Sequence, residues 1–202
     1  MVSGIELVIV IDQSTPMEIL LSKFVDALQD SSPMLERRNV NVGLITFSDS
    51  IEGCQIFSHR FNGRDFTEKP MKVVARLREI EFNAPGSETT PSLEALMMTR
   101  SMNWPSSTNP RIIMLITDST PRINADDIGR TNSCLESVNV DGLIIVTDTK
   151  SSLVRDQYLV LLKPERRPDL MYDINASEFK AFRQIYSMGL ETVYYDPFEE
   201  ER

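Results

Sequence analysis

Short runs of apolar, β-branched residues recur along the chain and predict β-strands. Four of them are strong and the last is weaker; they cover residues 5–11, 42–47, 112–116, 143–146 and 170–174. Their apolar residues are nearly continuous rather than alternating with polar ones, which is typical of parallel strands that are covered on both faces. The runs therefore predict a buried, mostly parallel sheet.

Between these runs, apolar residues recur with the spacing of a helix. In the clearest case the face is formed by Met17, Leu20, Leu21, Phe24 and Leu28. Weaker stripes of the same kind lie within residues 73–80, 93–97, 128–138, 154–161 and 179–186. Because strand and helix alternate, the pattern predicts an α/β fold with a doubly wound, mostly parallel central sheet and helices on both faces.

One segment breaks this alternation. Residues 55–61 follow the run at 42–47 after a connection that is too short for a helical crossover, so we expect an antiparallel edge strand there. The 202 residues contain no internal repeat and no low-complexity linker. We therefore predict a single domain over residues 1–190, followed by an acidic and loosely ordered tail over residues 191–202.

Composition limits the classes of partner. The chain is 41% hydrophobic and 25% charged, and its net charge of −9 disfavours binding to nucleic acid or to anionic membranes. No apolar stretch reaches the roughly 18 residues that suggest a membrane span, and no signal-peptide pattern opens the sequence. Its two cysteines show no metal-binding spacing. We expect a cytoplasmic protein, while the oligomeric state stays open.

Oxygen-bearing side chains occur in three loops of the predicted fold. Asp12 and Ser14 follow the first strand, residues 86–91 open a helix, and residues 117–119 follow the third strong run. In open α/β sheets, ligands bind at the carboxyl ends of the strands. Carboxylate and hydroxyl oxygens suit a hard cation such as Mg²⁺ or Mn²⁺. Together the loops predict a metal site at this edge.

These segments also carry a family resemblance. The matching pieces are IELVIVIDQS, VGLITFSDSI, TPSLEAL, IIMLITDS and the closing stretch GLIIVTD…PDLMYDINASEFKAF. Over nearly all of residues 5–188, the chain resembles a von Willebrand factor A domain. The resemblance implies a Rossmann-like sheet with one antiparallel edge strand. It also implies a metal-ion-dependent adhesion site, where the metal bridges to an Asp or Glu of a partner protein.

The resemblance carries over to individual positions. Asp12 and Ser14 match the first two ligand positions, Thr90 matches the threonine and Asp118 the distal aspartate. Pro16 stands where the family has a second serine, and its side chain offers no ligand. The sequence therefore predicts a degenerate site in which these four residues hold Mg²⁺ or Mn²⁺ and a partner carboxylate completes the coordination.

The same residues also allow a purely structural interpretation. Thr15 and Glu18 have the spacing of a capping box around Pro16 at the first helical position. On this alternative, Thr90 caps its own helix and Asp118 accepts backbone amides in a turn. The protein would then be a metal-free scaffold subunit of an intracellular complex.

Electrostatics favours weak metal binding. Two helix amino termini directed at one point place partial positive charge there, which opposes a cation. Asp12 and Asp118 must offset that field before a metal ion is retained. We therefore expect metal binding that is weak alone and is strengthened by the partner.

An enzymatic alternative is a phosphotransfer hydrolase of the haloacid-dehalogenase type. Asp12 fits the nucleophile of that class, but Ser14 replaces its acid/base carboxylate and Pro16 occupies its threonine position. The first turn lacks the glycines of a dinucleotide site, and His59 is the only histidine. The sequence thus favours a non-enzymatic module that binds a protein through the carboxyl-edge loops.

Overall fold

The chain forms a mixed β-sheet with helices on both faces. The structure is a computed structural model and describes residues 4–50, 53–82, 89–123, 126–162 and 170–174. The strands are β1 (Ile5–Asp12), β2 (Val40–Ser50), β3 (Gly53–Ser58), β4 (Phe66–Thr67), β5 (Thr89–Thr90), β6 (Arg111–Ile116), β7 (Thr120–Pro121), β8 (Gly142–Thr147) and β9 (Leu170–Asp173). The helices are α1 (Met17–Arg37), α2 (Pro70–Arg78), α3 (Ser92–Met98), α4 (Asp127–Ser137) and α5 (Ser152–Leu159).

The main sheet has the strand order β3-β2-β1-β6-β8-β9, and β4 also pairs with β2. Neighbours in the series β2, β1, β6, β8 and β9 pair in parallel, whereas β3 and β4 pair with β2 in the antiparallel sense. The prediction of a doubly wound, mostly parallel sheet with an antiparallel edge strand is confirmed. Outside this sheet, β5 and β7 form a separate parallel pair of two residues each.

The central strand β1 is buried on both faces, which explains its unbroken apolar run. Its odd-numbered residues, from Ile5 to Ile11, pack in the core that contains α1 and α2. Its even-numbered residues Val8 and Val10 pack in the second core, with residues of α3, α4 and α5. Because side chains alternate along a strand, Asp12 belongs to this second face. The fold thus places a carboxylate where α3 and α5 cover the sheet.

Some predictions lie outside the described residues. These are the helical stripe at residues 179–186 and the division of the chain near residue 190. Within the described part, no helix combines the length and the apolar character needed to cross a bilayer.

Candidate metal centre

Asp12 is fully buried at the carboxyl end of β1, and both of its oxygens accept hydrogen bonds. The backbone N–H of Ser14 donates to Oδ1 at 2.9 Å, and the hydroxyl of Thr117 donates to Oδ2 at 2.8 Å. Thr117 directly follows β6, the parallel neighbour of β1. Each carboxylate oxygen keeps a further lone pair. The side chain is thereby fixed in place but can still face a cation.

The negative charge of Asp12 is poorly compensated. The pKa of Asp12 is raised to about 6, mainly by burial; the nearby charge of Asp118 contributes to the rise, and hydrogen bonds from Ser14 and Thr117 oppose it. Among the described residues, no lysine or arginine forms an ion pair with Asp12. A cation at this position would supply the missing charge.

Ser14 carries an unpaired hydroxyl. Its side chain is only 2% exposed, and Oγ has no hydrogen-bond partner in the described part of the chain. The hydroxyl lies near enough to the Asp12 carboxylate to lower its pKa, but outside hydrogen-bonding geometry. Buried polar atoms are rarely left unpaired because each one costs roughly 1–3 kcal/mol. The Ser14 oxygen is one of eight such atoms in the described ranges, and it is the one that lies beside the Asp12 carboxylate.

Thr90 is held by the short β5–β7 pair. It is 1% exposed; its hydroxyl donates to the carbonyl of Thr120 at 3.4 Å, and its own carbonyl accepts the N–H of Arg122 at 2.8 Å. The guanidinium of Arg122 in turn pairs with Asp49 at the end of β2. Because the hydroxyl proton of Thr90 is directed at a carbonyl, the lone pairs of its oxygen stay available to a cation.

Asp118 and its neighbour complete the edge. Asp118 is partly exposed, and its Oδ1 accepts the hydroxyl of Ser119 at 2.9 Å. The N–H of Ser119 points to the hydroxyl oxygen of Thr117 at 3.3 Å. The charge of Asp118 raises the pKa of Asp12, although it is the smallest of the five contributions. Like charges repel, and a cation bound near both carboxylates would relieve that repulsion.

The capping alternative is wrong at both threonines. Helix α1 begins at Met17 after Pro16, which has helical dihedral angles and makes no side-chain cap. The hydroxyl of Thr15 donates instead to the carbonyl of Phe82 at 3.3 Å. Helix α3 likewise begins without a side-chain cap, and Thr90 is engaged with β7. The side chains that resemble caps therefore make other contacts.

The contact of Asp118 also differs from the one that the structural interpretation predicted. Asp118 accepts the Ser119 hydroxyl, whereas Asp12 accepts the backbone amide of Ser14. Asp12 thus forms the local turn that leads from β1 toward α1, because its Oδ1 accepts the N–H of Ser14.

The sequence patterns did not single out Tyr158 or its partner Ser92. Tyr158 of α5 is fully buried, and its hydroxyl lies 2.8 Å from Oγ of Ser92 and donates to the carbonyl of Ser119 at 3.1 Å. Tyr158 matches the helical stripe as an apolar residue. The signal was the phenol itself, since a buried tyrosine hydroxyl requires a polar partner.

The donors present suit a hard cation rather than zinc. No cluster of three or more His, Cys, Asp or Glu side chains able to hold a metal occurs in the described ranges. What the edge offers is two carboxylates and two buried hydroxyls, from Asp12, Asp118, Ser14 and Thr90. Oxygen donors of this kind fit Mg²⁺ or Mn²⁺, with one ligand fewer because of Pro16.

A family model describes the same region. The von Willebrand factor type A domain model matches residues 6–184. The chain belongs to this family. This VWA domain has no match among curated protein sequences.

Solved structures share the fold at low sequence identity. An aerotolerance-related membrane protein from Bacteroides fragilis NCTC 9343, with multiple mutations to serines, is 13% identical, covers 95% of this chain and 99% of its own, and has a TM-score of 0.66. The conserved hypothetical protein BatB from Bacteroides thetaiotaomicron gives the same four values. Proximal thread matrix protein 1 from the mussel byssus is 11% identical, with coverages of 94% and 48% and a TM-score of 0.68. These likenesses concern the fold alone.

Asp12→Asn should change how stability depends on pH. The pKa of Asp12 is raised on folding, so its protonated form adds stability at low pH, and this contribution is lost as the pH rises from about 4 to 6. Between pH 5 and 7.5 in chelator, the variant should therefore gain about 1–2 kcal/mol relative to wild type. Urea unfolding of the variant and the wild type at pH 5 and at pH 7.5 measures this difference in the free energy of unfolding. A difference that stays constant with pH would contradict the assignment.

Ser14→Ala should stabilise the metal-free protein. The substitution removes a buried hydroxyl that has no partner, so the free energy of unfolding in chelator should rise by up to about 1 kcal/mol. Thr117→Val is the contrasting variant, because that hydroxyl donates to Asp12 and its loss should destabilise the protein. Loss of stability in Ser14→Ala would mean that the hydroxyl has a partner in the folded protein.

Proposed function

We propose that this VWA domain is a non-enzymatic protein-binding module that engages its partner through the carboxyl-edge loops. The partner presents an Asp or Glu side chain to a weakly bound Mg²⁺ or Mn²⁺ at Asp12, Ser14, Thr90 and Asp118. The observation that carries the proposal is the buried, unpaired hydroxyl of Ser14 beside a carboxylate that has no counter-charge.

A second carboxylate on β1 supplies a comparison. Glu6 is also fully buried, at the opposite end of the same strand. One of its oxygens accepts the N–H of Ser106 at 2.6 Å, and the other lies 3.6 Å from Nε of Arg111. Glu6 therefore has a counter-ion built into the fold, whereas Asp12 has none. The contrast supports an external cation as the partner of Asp12.

The four residues of the proposed site have two different roles in binding a cation. The hydroxyl oxygens of Ser14 and Thr90 are the neutral ligands, and Asp12 and Asp118 provide the compensating charge. When bound, the cation supplies a Lewis-acidic centre that attracts a carboxylate. Pro16 removes one ligand, so we infer that a partner's carboxylate contributes a larger share of the affinity than it would in a complete site.

Catalysis by a phosphotransferase mechanism is not favoured by these contacts. Asp12, the nucleophile of that alternative, is fully buried with both oxygens hydrogen-bonded, and Ser14 cannot act as its acid/base carboxylate. The metal-free scaffold remains the competing function, and the lost ligand at Pro16 is the observation that favours it. The cytoplasmic location stays a prediction.

Pro16→Ser should strengthen metal binding. The substitution restores a hydroxyl at the ligand position, and serine is well tolerated at the start of a helix. We expect the dissociation constant for Mg²⁺, measured by calorimetry, to fall by about tenfold or more, a change typical of altered metal-site partners.

Pro16→Ala is the matched control, because it removes the proline without adding a ligand, and it should leave the affinity for Mg²⁺ unchanged. Equal gains in the alanine and serine variants would assign the effect to the proline ring and not to coordination.

A metal-dependent preference for acidic peptides should be detectable without knowing the natural partner. A random peptide library is panned on the immobilised domain in Mg²⁺ and eluted with EDTA, with the Ser14→Ala domain as the control surface. We expect the eluted peptides to share an Asp or Glu and to bind only the wild-type surface. Peptides that persist in EDTA, or that bind both surfaces equally, would support the metal-free scaffold instead.

A further inference from the structure

One side chain of α5 contacts both of the loops that would flank the cation. Asp118 lies in the turn after β6, and Thr90 lies just before α3. Tyr158 of α5 reaches both segments, since its hydroxyl contacts the carbonyl of Ser119 at 3.1 Å and the hydroxyl of Ser92 at 2.8 Å. A single phenol therefore spans the residue after Asp118 and the second residue after Thr90.

The protons of this contact can be assigned. A carbonyl oxygen only accepts, so the one proton of the Tyr158 hydroxyl goes to Ser119. Ser92 must then donate its own proton to the oxygen of Tyr158. The resulting order, Ser92 to Tyr158 to Ser119, uses every proton once and leaves neither hydroxyl unpaired. Loss of the phenol oxygen would leave both Ser92 and Ser119 without this partner.

The surroundings of the phenol are those of the candidate metal centre. Burial raises the pKa of Tyr158 and the charge of Asp12 raises it further, while the hydroxyls of Ser92, Thr90 and Thr117 lower it. The phenol thus remains protonated at neutral pH and is a constant donor. The oxygen of Tyr158 therefore interacts with the charge of Asp12 and with the hydroxyls of Thr90 and Thr117. A tyrosine in a purely apolar core would have no such neighbours.

We propose that Tyr158 is the positioning residue of this metal centre: its hydroxyl holds the 117–119 turn and the start of α3 in the arrangement that presents Asp118 and Thr90 to one cation. The inference rests on the proposed function. The residue touches neither the metal nor the partner, and it acts by preorganising ligands that come from separate loops.

Tyr158→Phe tests this role, with Tyr172→Phe as the matched control. Tyr172 on β9 is half-buried, and its phenol takes part in no hydrogen bond within the described ranges. Mg²⁺ and Mn²⁺ are titrated into the metal-free proteins by calorimetry. We expect Tyr158→Phe to weaken metal binding by about tenfold, as for other outer partners of metal sites, and Tyr172→Phe to leave it unchanged.

A thermal melt in EDTA separates positioning from general stability. If Tyr158→Phe lowers the melting temperature but binds Mg²⁺ with wild-type affinity, the tyrosine is only structural and the inference is overturned. Ser92→Ala keeps the bond from Tyr158 to Ser119 and should weaken binding by less than Tyr158→Phe. Should Tyr158→Phe fail to fold, Ser92→Ala decides, because wild-type affinity in that variant also overturns the inference.

The wild-type titration distinguishes this inference from the function on which it rests. Absence of Mg²⁺ and Mn²⁺ binding by the wild type would reject the proposed function, and the positioning role with it. Binding by the wild type that is equal in Tyr158→Phe would reject the positioning role alone.

Discussion

The carboxyl edge of this domain depends on one buried carboxylate, Asp12, at the end of the central strand. β1 is covered on both faces, so this side chain has no access to water and its oxygens must find donors inside the fold. The donors come from Ser14, two residues later, and from Thr117 on the neighbouring strand. This one interaction fixes the start of the first loop and ties it to the 117–119 turn.

The contacts around this carboxylate form a polar layer between the sheet and the helices. In a region of low dielectric, an incomplete polar network costs more than an apolar core, so its hydroxyls are expected to be paired. Thr117, Ser92 and Tyr158 satisfy this expectation. Ser14 does not, and it is the residue whose oxygen lies next to the uncompensated charge. Under the proposed function, this unpaired oxygen is a ligand of the cation.

Pro16 shows how the fold and the site can be separated. Its dihedral angles, −58° and −27°, lead directly into α1, so the residue serves the helix while it offers no ligand oxygen. The sheet order, the β5–β7 pair and the hydrogen bonds of Asp12 do not require a serine at this position. The VWA fold therefore tolerates proline at this position, and under the proposed function the missing oxygen lowers the affinity for a cation.

The sequence by itself determined the elements and their order. Continuous apolar runs specified strands buried on both faces, and helical stripes specified the crossovers, because both periodicities are local properties of the chain. The short connection before residues 55–61 likewise specified an antiparallel edge strand. The loops that carry Asp12, Ser14, Thr90 and Asp118 were predicted from the strand pattern, and the family resemblance assigned these four residues as ligands. Neither reports their contacts.

Only the tertiary structure decided which polar groups meet. The threonines at positions 15 and 90 have the local pattern of helix caps, yet the carbonyls of Phe82 and Thr120 take their hydroxyls. Thr117 reaches Asp12 across 105 residues of chain, and Tyr158 reaches Ser92 across 66. Such pairings follow from the order of strands and the placement of helices over them. A hydroxyl can be read from sequence, but whether it is paired or left for a ligand is settled only when the fold brings its neighbours together.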